Sequence, residues 1–230
     1  MTGRLGVLGG TFDPIHFGHL DAADAARSAV SLNEILFVPS HDPPHRPLGP
    51  RATAFHRFAL TALAVSDREG YRVSDLELTR DGRSYTSDTL RSLHADGWRP
   101  SQLFFIIGAD AFAEIATWHE FPAVLDAAHF LVIARPGTTV EEAVARTPEL
   151  RPRTHRTIEH LDDLGSTAIV LIEARTRAVS STAIRDRIAA RQPIDDLVPP
   201  AVARHIVVNR LYESGSLEDS LHGHKNNKNA

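Results

Sequence analysis

The 230-residue sequence contains no cysteine. A disulfide framework, a cysteine nucleophile, an iron–sulfur cluster and a thiolate zinc site are therefore excluded. Long apolar runs are also lacking, because no stretch approaches the roughly 20 apolar residues that a membrane helix requires. The first residues show no signal-peptide pattern. These absences predict a cytoplasmic protein that does not enter a membrane.

Neither sign of charge dominates the composition. The chain has 25 lysines and arginines against 29 aspartates and glutamates, a net charge of −4. Such a chain lacks the excess positive charge that broad binding to nucleic acid requires, although a local basic pocket for phosphate is compatible with it. We therefore expect small-molecule partners and no nucleic acid. No feature of the sequence indicates an oligomeric state.

Short apolar runs alternate with helical patterns along the chain. Strands are predicted at 5–8, 34–38, 71–78, 102–107, 129–134 and 168–173. Helices are predicted at 20–30, 53–65, 87–94, 111–116, 140–146, 181–191 and 200–211. Continuous apolar strands separated by helices indicate an α/β fold: a Rossmann-like, doubly wound, mainly parallel sheet with helices on both faces. Ligands bind such sheets beyond the carboxyl ends of the strands.

The length fits one domain over residues 1–212, with the C-terminal helices at 181–211 included. Residues 138–165 are polar and interrupted by proline, which is typical of a variable surface segment. Residues 213–230 are polar and are expected to form a disordered tail. Two histidines in that tail could bind a metal, but a solvated tail is the stronger interpretation.

An unusual turn, GGTFDPIHFGH, follows the first predicted strand. Gly9 and Gly10 allow the backbone to approach a bulky ligand, and Thr11 adds a hydroxyl group. His16 and His19 lie three residues apart at a helix start, where unpaired N–H groups and the helix dipole favour anions. The turn predicts a phosphate site. The alternatives are a capped glycine turn and a zinc site, for which a third ligand is missing.

A second polar turn, SSTAIR, follows the last predicted strand. Ser180 or Ser181 can cap the next helix, and the hydroxyls and amides there can face a phosphate. Arg185 lies one turn further along and offers a forked cation. Alone, this segment could equally be a capped helix with a surface arginine. Together with the first turn, it favours a phosphate site.

The first turn resembles the nucleotidyltransferase α/β phosphodiesterase superfamily, whose hallmark is a histidine-x-glycine-histidine motif, here HFGH. That superfamily transfers a nucleoside monophosphate from a nucleoside triphosphate and releases pyrophosphate. Class I aminoacyl-tRNA synthetases share the motif but also have a KMSKS loop, which this chain lacks. The resemblance implies catalytic roles for Thr11, His16, His19 and Arg185. It implies ATP contacts at Gly9, Gly10, Thr11, Phe12, His16, His19, Gly108, Asp110, Arg135, Ser180, Ser181, Thr182 and Arg185.

Three further segments resemble the nicotinate-nucleotide adenylyltransferase family. The segment PPHR is similar to a proline-proline-histidine-lysine segment near the acceptor phosphate, with Arg46 replacing the lysine. The segment SYTSDTL is similar to a tyrosine-threonine-x-aspartate-threonine-leucine motif, and GAD precedes a tryptophan. Contacts to nicotinate mononucleotide are implied for His45, Arg46, Tyr85, Thr86 and Trp118.

Each of these segments also has a plainer interpretation. The first could be a solvated basic loop, the second a helix start capped by Ser87, and Trp118 a core residue. If the resemblance holds, Asp110 is placed to bind a ribose hydroxyl, and Trp118 offers a flat face to the pyridine ring.

The resemblance implies that ATP and nicotinate mononucleotide form nicotinate adenine dinucleotide and pyrophosphate. The mononucleotide phosphate attacks the α-phosphorus in line, with Mg²⁺ on the phosphates and its protein ligands unassigned. A phosphopantetheine adenylyltransferase is an alternative, but those chains are shorter, usually have serine in place of Thr11 and lack the SYTSDTL segment. A non-catalytic nucleotide sensor is another alternative, against which the joint presence of His16, His19 and Arg185 argues.

Overall fold

A computed structural model describes residues 3–44, 49–134, 144–156 and 165–213. Seven strands form one sheet in the order β3-β2-β1-β4-β5-β7-β6, and every neighbouring pair is parallel. The strands are β1 Leu5–Gly10, β2 Glu34–Pro39, β3 Tyr71–Val73, β4 Leu103–Gly108, β5 His129–Ala134, β6 Thr154–His155 and β7 Ile169–Glu173.

Helices cover both faces of this sheet. They are α1 Phe17–Val30, α2 Ala54–Val65, α3 Thr86–Ala95, α4 Ala109–Phe112, α5 Ser181–Ala189 and α6 Pro200–Val208. Side chains alternate along β1, so that Leu8 packs under α1, α2, α5 and α6 while Leu5 and Val7 pack under α3 and α4. The predicted doubly wound α/β fold is confirmed. No helix within the described ranges is long and apolar enough to cross a membrane.

The path of the chain places a crevice beside β1. From β1 the chain proceeds outward to β2 and β3, and then returns to form β4 on the other side of β1. Connections from β1 and β4 therefore leave in opposite directions at the carboxyl edge of the sheet. This is the topological switch point at which open α/β sheets bind ligands.

Several predicted elements differ in length from those in the structure. The strand predicted at 71–78 ends at Val73, because the backbone turns at Asp75, whose carbonyl accepts the Leu78 N–H at 2.8 Å. The helix predicted at 111–116 is replaced by α4 and a short 3₁₀ turn, Ile115–Thr117. Strand β6 was not predicted, since two residues carry no pattern.

Two predictions fall wholly or mostly on undescribed residues. All but the last three positions of the helix at 140–146 lie outside the described ranges, as does all of the tail at 213–230 except its first residue. The extent of the single domain, 1–212, stays a prediction.

Candidate active site

A cavity of about 650 Å³ opens at the switch point between β1 and β4. Its floor comes from the ends of β1 and β4, and its walls come from the loops that follow β2 and precede α3, together with the 3₁₀ turn after α4. The polar lining includes Thr11, His19, Ser40, Glu77, Arg83, Ser84, Tyr85, Thr86, Thr117, Trp118 and His119. Its volume falls within the range of small-molecule sites.

The first turn supplies one wall of the cavity. Gly9, Gly10, Thr11 and His19 line it, whereas His16 is only 2% exposed and lies behind His19. The two imidazoles stack with their centroids 3.7 Å apart. The backbone N–H of His16 donates to Nδ1 of the His19 ring at 3.2 Å. Because Nδ1 accepts this bond, the proton of a neutral His19 ring resides on Nε2. His19 is thereby fixed as a hydrogen-bond donor.

Phe12 supports this arrangement from the core. Its backbone adopts φ 47°, and its ring is buried, with its edge against His19 at a centroid distance of 5.1 Å. A Cβ at Gly10 would lie 3.0 Å from the Phe12 ring, so a larger residue there would require the ring to shift by a few tenths of an ångström. Phe12 itself does not line the cavity.

A buried arginine that the sequence reasoning missed holds the first turn in place. Arg57 of α2 is 1% exposed. Its guanidinium donates to the carbonyls of Thr11 at 2.8 Å, Ala52 at 3.2 Å and His41 at 3.4 Å. The signal was present, since this is a cation within the helical pattern AFHRFALTALAV. Arg57 joins the loop after β1 to the loop after β2.

The loop before α5 is fastened onto the start of α1. Arg177 pairs with Asp21 at 2.8 Å, and its guanidinium lies 3.9 Å from the centroid of the Phe17 ring. The hydrogen bond from Arg177 lowers the pKa of the Asp21 carboxyl group. A Cβ at Gly18 would lie 3.2 Å from the Arg177 carbonyl oxygen. The glycine of HFGH thus permits the close approach of the two segments.

The SSTAIR segment meets the first turn, as the joint phosphate interpretation requires. The Ser180 hydroxyl caps α5 by accepting the Ala183 N–H at 3.1 Å, and the Ser181 hydroxyl donates to the Pro14 carbonyl at 2.9 Å. Arg185 donates to the Asp13 carbonyl at 2.6 Å. These α5 residues lie beside the first turn and are not part of the cavity lining.

A second part of the cavity lining carries the aromatic side chains predicted for the acceptor. Tyr85, Thr86 and Trp118 line the cavity, and the Trp118 ring meets Phe105 edge-on at a centroid distance of 6.0 Å. Tyr85 stacks on His119 at 4.2 Å, a residue that the sequence reasoning missed. Trp118 is therefore both a cavity wall and partly packed against the core.

Ser87 is not the cap of α3. The helix begins one residue earlier, at Thr86, with Tyr85 at the N-cap position. Ser87 therefore lies in the first turn, where its hydroxyl is 3.2 Å from Nδ1 of His119. This contact orients the His119 ring against Tyr85.

A buried carboxylate that sequence reasoning missed lies in the lining beside these aromatic residues. Glu77 accepts the Thr89 hydroxyl at 2.5 Å. Burial raises the pKa of Glu77, opposed by hydrogen bonds from Thr89 and Ser84. The Ser84 hydroxyl in turn accepts the His41 N–H at 2.8 Å. Glu77 thus holds the loop that presents Tyr85 to the cavity.

The remaining predicted residues fall in three groups. Gly108 lines the cavity, with no atom within 4 Å of a Cβ built on it, so the floor is open there. Asp110 is exposed in the first turn of α4 and does not line the cavity. His45, Arg46 and Arg135 lie outside the described residues.

In the described part of the chain, no three histidine, aspartate or glutamate side chains are grouped as a metal centre would require.

Sequence comparison identifies relatives of this chain among known proteins. Residues 7–187 match the cytidylyltransferase-like family. A probable nicotinate-nucleotide adenylyltransferase of Desulfitobacterium hafniense is 40% identical over 214 residues, covering 91% of this chain and 95% of that protein. A protein of the same name from Moorella thermoacetica is 41% identical over 210 residues, covering 91% and 92%.

Solved structures share the fold at much lower identity. The nicotinic acid mononucleotide adenylyltransferase of Plasmodium falciparum, complexed with NaAD, superimposes with a TM-score of 0.69 at 18% identity. The alignment covers 92% of this chain and 98% of that one. On the sequence matches, the chain belongs to the cytidylyltransferase-like family and, within it, to the nicotinate-nucleotide adenylyltransferases.

Proposed function

We propose that the chain transfers the adenylyl group of ATP to nicotinate mononucleotide, forming nicotinate adenine dinucleotide and pyrophosphate. One observation carries this proposal: a single cavity is lined both by Thr11 and His19 and by Tyr85, Thr86 and Trp118. Two nucleotides bound beside these two sets of residues would share the one cavity at the end of β1. The names of the relatives and the NaAD bound to the Plasmodium falciparum protein agree with these substrates.

The attacking atom needs no base from the protein. A phosphate monoester oxygen is already anionic at neutral pH, so the reaction depends on alignment and on stabilising charge. Thr11, at the end of β1, orients the two reacting phosphates. His19, whose Nε2 carries a proton, donates to the triphosphate as negative charge develops. His16 stacks behind it and fixes the ring.

The start of α5 is proposed to hold the departing pyrophosphate. Its first N–H groups and the hydroxyls of Ser180, Ser181 and Thr182 lie beside the first turn, and a helix N-terminus favours anions. Arg185 adds a cation there. Further ATP contacts are proposed at Gly9, Gly10, Phe12, Gly108, Asp110 and Arg135. A Mg²⁺ ion bound with ATP supplies charge neutralisation on the phosphates.

The acceptor occupies the aromatic wall in this proposal. Trp118 offers its face to the pyridine ring, and backbone N–H groups at Thr86 and beside Trp118 pair with the nicotinate carboxylate. His45 and Arg46 are proposed to approach the acceptor phosphate. A cytoplasmic location and the absence of nucleic-acid partners stay predictions.

An acceptor panel tests the proposal. The purified chain is incubated with Mg²⁺, ATP and either nicotinate mononucleotide or 4′-phosphopantetheine, and pyrophosphate release is followed. We expect pyrophosphate release with nicotinate mononucleotide as the acceptor and none with 4′-phosphopantetheine. Turnover only with 4′-phosphopantetheine would transfer the assignment to that adenylyltransferase, and nucleotide binding without turnover of either would indicate a sensor.

A further inference from the structure

A buried carboxylate in the first turn joins four parts of the chain. Asp13 is 1% exposed. Its Oδ2 accepts the Arg51 N–H at 2.8 Å, and its Oδ1 accepts the Ala52 N–H at 3.0 Å and the Tyr212 hydroxyl at 2.9 Å. Arg185 Nη1 lies 3.8 Å from Oδ2. The first turn, the segment before α2, helix α5 and the C-terminal segment thus meet at one carboxylate.

Tyr212 reaches this carboxylate from the end of the described chain. It follows α6 by four residues, and Leu211 beside it is buried in the core. Its backbone adopts φ 67°, a left-handed conformation that non-glycine residues seldom take unless surrounding contacts impose it. Burial raises the pKa of the Tyr212 phenol strongly, so the hydroxyl stays protonated and donates. The hydrogen bond from Tyr212 to Asp13 joins residues that are 199 positions apart in the sequence.

The three neutral donors decide where Arg185 points. Together they hold the carboxylate in place, with two donors on Oδ1 and one on Oδ2, and the Arg185 guanidinium stays 3.8 Å from Oδ2 and outside a short ion pair. Instead it donates to the Asp13 carbonyl at 2.6 Å and to the Thr182 hydroxyl at 3.1 Å, along the start of α5. If the phenol were removed, Oδ1 would lose one of its two donors, and the carboxylate would be freer to turn towards the Arg185 guanidinium, which lies 3.8 Å from Oδ2.

We propose that Tyr212 is a positioning residue for the phosphate site: its hydroxyl fixes the Asp13 carboxylate and so keeps Arg185 directed to the pyrophosphate of ATP. This inference rests on the proposed function of Arg185 and the α5 start. The C-terminal segment after α6 is then part of the phosphate-binding machinery, although it lies 199 positions from Asp13.

Tyr212→Phe removes only the hydroxyl and tests the inference. Tyr71→Phe is the matched control, because Tyr71 also donates to a carboxylate, that of Asp24 on α1 at 2.5 Å, which is neither in the first turn nor on α5. In the reverse reaction, we expect Tyr212→Phe to raise the KM for pyrophosphate about tenfold, the range expected for a disturbed charged hydrogen bond. The KM for nicotinate mononucleotide in the forward reaction should stay within about twofold of wild type. The control should change neither constant.

A second variant separates positioning from general loosening of the fold. If Tyr212 acts through Arg185, Tyr212→Phe should have little further effect on pyrophosphate binding in an Arg185→Ala background. Calorimetry measures the affinity for pyrophosphate directly, whichever acceptor the enzyme uses. A failure of this inference can therefore be told apart from a failure of the proposed acceptor. An unchanged pyrophosphate affinity in Tyr212→Phe, or full additivity with Arg185→Ala, would overturn the inference.

Discussion

The backbone N–H of His16 donates to Nδ1 of His19 at 3.2 Å while the two rings stack at 3.7 Å. One histidine thereby sets the tautomer and orientation of the other. Of these two histidines, only His19 lines the cavity. The two histidines of HFGH therefore lie in different environments, although the motif alone presents them as equivalent.

Replacing His19 with alanine should lower kcat about 10²–10³-fold, because a donor to the developing phosphate charge is lost. The thermal transition should change little, since the ring faces the cavity. His94→Ala, on α3 and outside the cavity lining, is the control. Steady-state kinetics decide the matter, and near-wild-type turnover of the His19 variant would remove it from the catalytic group.

Arg185→Lys should lose activity despite keeping the charge. A lysine cannot bond the Asp13 carbonyl and the Thr182 hydroxyl as the fork of Arg185 does. We expect kcat to fall by about tenfold or more. Arg187→Lys, on the same helix and paired with Asp196, should have wild-type kinetics. Equal activity of the two variants would show that the fork is not needed.

Trp118→Ala should raise the KM for nicotinate mononucleotide about tenfold by removing the face on which the ring stacks, with the KM for ATP nearly unchanged. The only other tryptophan, Trp98, packs against the same core but does not line the cavity. Trp98→Ala is therefore the control and should leave the KM for nicotinate mononucleotide unchanged. A defect confined to ATP would place Trp118 on the adenosine side.

On the wild type, nicotinate mononucleotide should be preferred over nicotinamide mononucleotide by ten- to a hundredfold in kcat/KM. A nicotinamide NH₂ facing backbone N–H groups leaves a buried donor unpaired, which costs about 1–3 kcal/mol. Equal kcat/KM values for the two acceptors would contradict this.

Arg57→Met should reduce the free energy of unfolding by about 2–4 kcal/mol, because buried carbonyls lose their donors. Urea unfolding measures the change. Arg72→Met removes an exposed ion pair with Glu34 and should alter stability by less than about 1 kcal/mol. Similar decreases in the free energy of unfolding of both variants would show that the buried hydrogen bonds of Arg57 contribute no more than an exposed ion pair.

Glu77 should make stability depend on pH. Since burial raises its pKa in the folded protein, the folded state holds the proton more tightly than the unfolded chain. The contribution of Glu77 to stability is therefore present below the ordinary glutamate pKa of about 4.3 and is lost as the pH rises through the raised value. Glu77→Gln should gain stability relative to wild type between pH 4 and pH 8. A difference that is constant with pH would refute this.

The sequence pattern predicted the parallel sheet because most of its strands are short, continuous apolar runs, as in QLFFII before Gly108. The glycine, histidine and serine turns were equally visible, since their chemistry is local. What escaped prediction depends on contacts between distant residues. Glu77 was taken for part of a strand, and the bond from Tyr212 to Asp13 joins residues near opposite ends of the chain. Nothing in either local pattern specifies such a contact.

Transfer of the α-phosphate tests the central claim most directly. The chain is incubated with ATP labelled at the α-phosphorus and with nicotinate mononucleotide, and the products are separated. Direct in-line attack predicts that all transferred label appears in nicotinate adenine dinucleotide, with one unlabelled pyrophosphate released per dinucleotide and no label on the protein. Label released as AMP, retained on the protein or absent from the dinucleotide would contradict the account.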